Sequence, residues 1–401
     1  MTDHPTAQRA PATASPPPTT VGADPVFTTL AVAASCVGFV LIGALQALYG
    51  PAIPALREEF GLSPSTAGLG LSAHFVGGVA GVLLFDRRYG RTGNRRILAT
   101  SYLLMATGAA GFALAPNWPL ALTAAFLAGL GFGGIDYGLN QLFAVGFGHR
   151  STAMLNILNA HFGIGAILGP ALIASVGAEH YPAIFIAFAL VNLPLLLCLR
   201  GVRDHPPHLT TPTEKATPAD GALRSVLTVF VTLYALHVAI EAGVGGWEPT
   251  HLETVGYGAG TAATATSVYW LMMTVGRFLV APIALRFSAQ AIITVSCAGM
   301  TVCLLLAAVP GLAPYAYAGV GLFIAPIFPT GLPWLTRAAP RARRAGALVI
   351  AASMLGGVAA GPALGKVIEW SDVRAVPLLL AAVSATCLAA TVWLTRATRT
   401  T

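Results

Sequence analysis

Apolar residues in this chain run on without the alternation of a half-buried strand. Continuous apolar stretches cover about 27–50, 65–85, 97–116, 119–147, 152–177 and 181–199, and then about 223–247, 260–285, 288–309, 312–335, 345–368 and 374–395. Between the two sets lies a polar stretch from Arg200 to about Gly221, holding Pro206, Pro207, Pro212 and Pro218. A run of ~20 apolar residues crosses the hydrocarbon core of a bilayer as a helix. Lipid offers no partner to backbone groups, so each continuous run must satisfy its own as a helix. A barrel would show short alternating segments instead. The pattern predicts an all-α membrane protein with twelve transmembrane helices in two six-helix bundles, 27–199 and 223–395, joined by a linker at 200–222. Residues 1–26 and 396–401 are the tails. The first, rich in Pro, Thr and Ala, reads as a disordered segment without the basic start and apolar centre of a cleaved signal peptide.

Composition strengthens this reading. The chain is 56% hydrophobic and 9% charged, where a soluble domain carries about 25% charged residues. The net charge of +7 could suggest nucleic acid, but the basic residues sit in short loops between apolar runs, which is a topology signal. With the amino terminus inside, 18 of the 22 Lys and Arg residues fall in inner loops and tails. Only Arg57, Lys366 and Arg374 fall on the far side, and Arg277 lies within or near the end of the eighth run. The expectation is a multi-pass protein of the cytoplasmic membrane with both termini cytoplasmic, working as a monomer in the lipid bilayer with no nucleic-acid partner. Cys36, Cys198, Cys297, Cys303 and Cys387 all lie inside apolar runs and read as packing residues. No metal set, nucleophile triad or phosphate loop stands out, so neither an enzyme nor a cofactor is expected.

The two halves repeat weakly. Gly165, Gly169, Pro170, Ala171 and Leu172 recur as Gly357, Gly361, Pro362, Ala363 and Leu364 at a constant offset of 192. Six-helix half-repeats with a binding site between them near mid-bilayer are a secondary-transporter plan.

Polar residues inside the runs are the candidates for function, because an acid at mid-bilayer costs about 2.5–3.5 kcal/mol on the insertion scale. Asp136 and Asn140 lie four residues apart on one face of the fourth helix; Asn156, Asn159 and His161 follow in the fifth. Glu241 and His237 share a face of the seventh. Asp136 and Glu241 are the candidates for carrying a proton. Gln46, Asn140, Asn156, Asn159, His161 and His237 suit a polyhydroxy solute, since amides both donate and accept. Trp247 could stack on a sugar ring, whereas Tyr269, Trp270, Phe328 and His74 lean to packing. Glu248 is expected at the outer rim with its carboxylate in water. Arg277 is expected to pair with an acid at the inner rim. Gly129 with Gly133, Gly165 with Gly169, and Gly357 with Gly361 let helices approach closely. Pro326, Pro329 and Pro333 permit the tenth helix to bend.

At these residues the chain resembles the major facilitator superfamily. Asp86-Arg87-Arg88-Tyr89-Gly90-Arg91, after the second helix, is similar to that family's Asp-Arg-x-Gly-Arg loop, with one extra residue and with Val82 where the family has Gly. The resemblance implies a rim or gating role for Asp86, Arg87 and Arg91, beside the one that Arg277 takes from its place near the end of the eighth run. A narrower resemblance is to the fucose–hexose–proton symporter branch. It rests on Gly129-Leu130-Gly131, Ile135-Asp136 and Asn140; on Leu155-Asn156 and His161-Phe162-Gly163; on Glu241, Gly245-Gly246 and Trp247; and on Phe328-Pro329-Thr330. It implies a secondary transporter that moves a sugar or polyol with a proton by alternating access. That branch has an acid in its first helix; Gly50 stands near that place here, so a coupled proton must ride on Asp136 or Glu241, and if neither carries it the chain is a facilitator. The rival expectation is a proton-driven exporter of drugs or metabolites, for which Gly165, Gly169 and Pro170 partly match an antiporter signature. A receptor or scaffold would need long partner-binding loops, and the loops here are short.

Overall fold

The computed structural model describes residues 27–88, 91–147, 151–203, 221–284, 286–339 and 345–398. His149, Arg150, Tyr89, Gly90 and most of the linker lie outside them, as does the side chain of Asn156. Thirteen α-helices make up nearly all of the described chain. They are α1 (Thr29–Phe60), α2 (Pro64–Arg88), α3 (Asn94–Ala113), α4 (Trp118–Gly146), α5 (Ser151–Val176), α6 (Tyr181–Cys198), α7 (Gly221–Thr254), α8 (Ala259–Ile283), α9 (Ala289–Ala307), α10 (Ala313–Ile324), α11 (Ile327–Ala338), α12 (Ala345–Trp370) and α13 (Val376–Ala397). Helices α10 and α11 are two halves of one span, so the expected twelve spans are present. Among the described residues, nine stretches are long and apolar enough by themselves to cross a membrane.

Local chemistry sets several ends. Thr28, Asn117 and Ser288 each accept a backbone N–H through the side-chain oxygen at the start of α1, α4 and α9. Such a cap satisfies one of the donors a helix start leaves orphaned. Gly61 stops α1 in the left-handed region, φ 61°, which costs glycine nothing. In the tenth span the chain leaves the helix at Ala325 and Pro326. Proline has no N–H to donate to the preceding turn, and the bend expected from Pro326, Pro329 and Pro333 is an interruption of the hydrogen-bond ladder, with Ala325 and Pro326 still in right-handed helical conformation.

One correction concerns the seventh span. The apolar pattern ends it near residue 247, yet α7 continues to Thr254 with Pro249 inside it. The added turns are buried, Thr250 at 7% and His251 at 1% exposure, because they pack within the carboxy-terminal bundle.

Each bundle has its own core. In the first, α2 packs on α4, α3 on α4 and α6, and α1 on α5; in the second, α7 packs on α12, and α10 on α8 and α9. The bundles meet along α2 with α12, α5 with α8, and α1 with α7. This restates the weak sequence repeat in space. Shifting the partners α1 and α8 of α5 by six spans yields α7 and α2, the partners of α12.

Candidate functional site

The seams between the bundles gather at the end opposite the Arg-rich loops. Gly68 of α2 and Gly361 of α12 touch backbone to backbone, and a Cβ on either would land on the other's main chain. Between α1 and α7 the contact is one-sided: a Cβ on Gly50 would land on the Gly245 carbonyl, whereas one on Gly245 would meet the Trp270 ring. Ser72 donates its hydroxyl to the Val358 carbonyl. Nearer the tip, Ser65 donates both its N–H (3.0 Å) and its hydroxyl to Glu369, whose other oxygen takes Lys366 Nζ at 2.9 Å. Among the described residues, α4 forms no comparable seam with α10 or α11. Among the described residues, the close backbone contacts between the bundles thus lie toward the end opposite the basic loops.

Behind the closed seam is a small void of about 10 Å³, lined by Gln46, Leu71, Phe75, Ala242 and Trp270 among others. That is room for about one water. Trp270 of α8, rather than Trp247, presents its ring here. Trp247 has no exposed surface, and its Nε1 lacks a hydrogen-bond partner. Both rings are buried in one core, so Trp270→Ala and Trp247→Ala should each destabilise the protein by about 3–5 kcal/mol, measured as unfolding in denaturing detergent; Trp270→Ala alone should also raise the KM for solute, and equal effects on KM would reverse the assignment.

On the first bundle, Asp136 and Asn140 are joined as their spacing predicts. Asn140 Nδ2 donates to the carbonyl oxygen of Asp136 at 2.9 Å and to its Oδ1 at 3.0 Å. Asn159 of α5 then donates from Nδ2 to Asn140 Oδ1 at 2.9 Å, tying α5 to α4. All three side chains keep some exposure, and no Lys, Arg or His pairs with Asp136 among the described residues. The nearby His161 places Nδ1 2.7 Å from the Ile157 carbonyl of its own helix. This fixes its ring but brings it to none of the other candidates.

On the second bundle, His237 Nε2 stands 3.9 Å from Glu241 Oε2, both largely enclosed. Arg277 lies within α8, not at its rim, close enough for its charge to act on Glu241 and His237. Tyr269 donates to the Glu241 carbonyl at 3.5 Å. Tyr234 meets the His237 ring edge-on, and its hydroxyl donates to the Phe328 carbonyl at 2.9 Å. The tyrosine thereby links α11 to this cluster, a contact no sequence spacing announces.

Two other expectations take correction or detail. Glu248 is not at a watery rim: it has no exposed surface, and among the described residues neither carboxylate oxygen accepts a hydrogen bond of good geometry. The reason is the longer α7, which carries Glu248 into the bundle beside Thr266 of α8. At the basic end Asp86, Arg87 and Arg91 are exposed. There Asp86 accepts the Tyr137 hydroxyl at 2.8 Å. His74 is fully enclosed among Tyr49, Phe75 and Phe132, a packed polar residue.

Comparison with known proteins decides the family. The profile of the Major Facilitator Superfamily matches residues 35–325. The chain belongs to the Major Facilitator Superfamily. Among curated relatives of this superfamily member, the gentisate transporter of Corynebacterium glutamicum is 27% identical over 307 residues, 68% of this chain and 66% of that protein. The chain thus matches slightly under two thirds of that relative's length. Among solved structures, the nucleoside transporter NupG superposes with TM-score 0.74 at 13% identity, covering 91% of this chain and 98% of that one. A variant of the Escherichia coli fucose:proton symporter FucP superposes at 0.62 and 17% identity, covering 91% and 98%. At such identities these likenesses show the shared fold; the symporter branch named from sequence is among the structural neighbours.

Proposed function

We propose that this superfamily member is a secondary transporter that moves a small polar solute, a sugar or polyol, across the cytoplasmic membrane with a proton. The observation that carries the reading is the Asp136–Asn140–Asn159 chain, an acid and two amides tied across α4 and α5. Glu241 with His237 supplies a second ionisable pair on the opposite bundle. An acid in a helix wall with no cationic partner suits loading and release of a proton, and the amides suit hydroxyl groups. The bundles exchange access by rocking about the seams, with the solute held between α1, α4, α5, α7 and the broken tenth span. Both termini face the cytoplasm on the distribution of basic loops, and the protein works as a monomer.

Uptake into proteoliposomes under an imposed inward proton gradient tests this, with labelled hexoses, deoxyhexoses and polyols. Wild type should accumulate one of them above equilibrium. Asp136→Asn or Glu241→Gln should abolish accumulation while leaving counterflow within about threefold. A second reading, export of an aromatic metabolite, draws on the Phe75 and Trp270 wall and on the aromatic-acid name of the gentisate transporter. Gradient-driven movement of aromatic acids, with no sugar flux, would replace the first reading by the second.

A further inference from the structure

A second cavity, of about 300 Å³, lies away from the bundle interface, between α2, α3 and α4 at the basic end. Its wall is graded. Arg88, at the end of α2, and Arg96, in the first turns of α3, stand at one side with the hydroxyl-bearing Thr92 and Thr100; Leu84 and Leu104 line the other. Arg88, Arg96 and Thr100 are exposed, and Leu84 is 44% exposed, so the cavity opens on the outer surface of the first bundle. No carboxylate lines it among the described residues. The nearest acid in sequence, Asp86, is engaged by the Tyr137 hydroxyl.

We propose that this cavity binds an anionic phospholipid, its phosphate held between Arg88 and Arg96 and an acyl chain laid along Leu84 and Leu104. Two guanidiniums present planar forks that match phosphate oxygens. Basic pockets between spans on the cytoplasmic side take acidic headgroups, whose surface attraction is worth about a factor of five per Arg. The grading from charge to Leu separates a lipid from a free phosphate, for which the apolar half of the wall would have no use. The site does not depend on what the protein transports.

Native mass spectrometry of the full chain in detergent, titrated with phosphatidylglycerol or phosphatidylcholine, tests the proposal. Wild type should retain phosphatidylglycerol selectively. The Arg88→Gln, Arg96→Gln double variant should bind it about thirtyfold more weakly. The control Arg337→Gln, a basic-end residue outside the cavity, should bind as wild type does. Leu104→Trp fills the apolar half and leaves both arginines in place; it should lose the lipid as well, which answers the case where the double variant folds poorly. Equal retention of both lipids, equal loss in the Arg337 control, or displacement of phosphatidylglycerol by low millimolar inorganic phosphate would each overturn the proposal.

Discussion

Valine at Gly361 should hold the protein open at the end opposite its basic loops. In the closed seam α2 and α12 touch main chain to main chain, and a Cβ at Gly361 would land on the Gly68 carbonyl group. A clash with a flexible side chain can be relieved by a new rotamer; a clash with a backbone requires the helices to separate. Overpacking costs about 1–3 kcal/mol in ordinary cores, which here disfavours the closed state by about 5- to 150-fold at tenfold per 1.4 kcal/mol. Spin labels at Glu58 and Asp372, both exposed at this end, should show a longer distance in the Gly361→Val variant. Transport should fall by a similar factor. An unchanged distance distribution would mean that the α2–α12 contact is not what closes the molecule.

Leucine at Glu248 should make the protein more stable, not less. The carboxyl is fully enclosed, and among the described residues neither oxygen accepts a hydrogen bond of good geometry, though Thr266 stands beside it. A buried polar group left unpartnered costs about 1–3 kcal/mol, and an apolar side chain of similar volume removes that cost. Resistance to unfolding in denaturing detergent should therefore rise by about that amount in Glu248→Leu. Because the side chain does not line the interfacial void, solute exchange should persist. A less stable variant would show that the carboxyl anchors α7 through a bound water.

The architecture is legible in the sequence because a bilayer permits little else: every span must be a continuous apolar run, and the runs can be counted. Pairings within one helix are legible too, as with Asp136 and Asn140 at four-residue spacing. What escapes is the facing of each helix. In α7 and α8 apolar and small residues lie on all sides, so nothing local says that Trp270 reaches the void while Trp247 is sealed away. That choice is made by which neighbour packs where. The end of α7 escapes for a related reason. Glu248, Pro249, Thr250 and His251 have the composition of a helix leaving the membrane, and only the surrounding bundle keeps them dry. The glycine pairs advertise close approach, but their partners, such as Gly68 for Gly361, come from distant parts of the chain. Asn159 joins Asn140 only because α5 lies beside α4.

The gap at Ala325 and Pro326 changes how force travels through the second bundle. An unbroken helix is a stiff strut, passing a displacement at one end to the other through its ladder of hydrogen bonds. Between α10 and α11 that ladder is interrupted: α11 restarts with Thr330 N bonded to the Pro326 carbonyl, and Tyr234 holds the Phe328 carbonyl from the side. The tenth span is thus a jointed rod. Its two segments answer to different neighbours: α10 packs chiefly on α8 and α9, and α11 on α9, α7 and α12. A displacement of α12 therefore meets α11 first and reaches α10 across the joint.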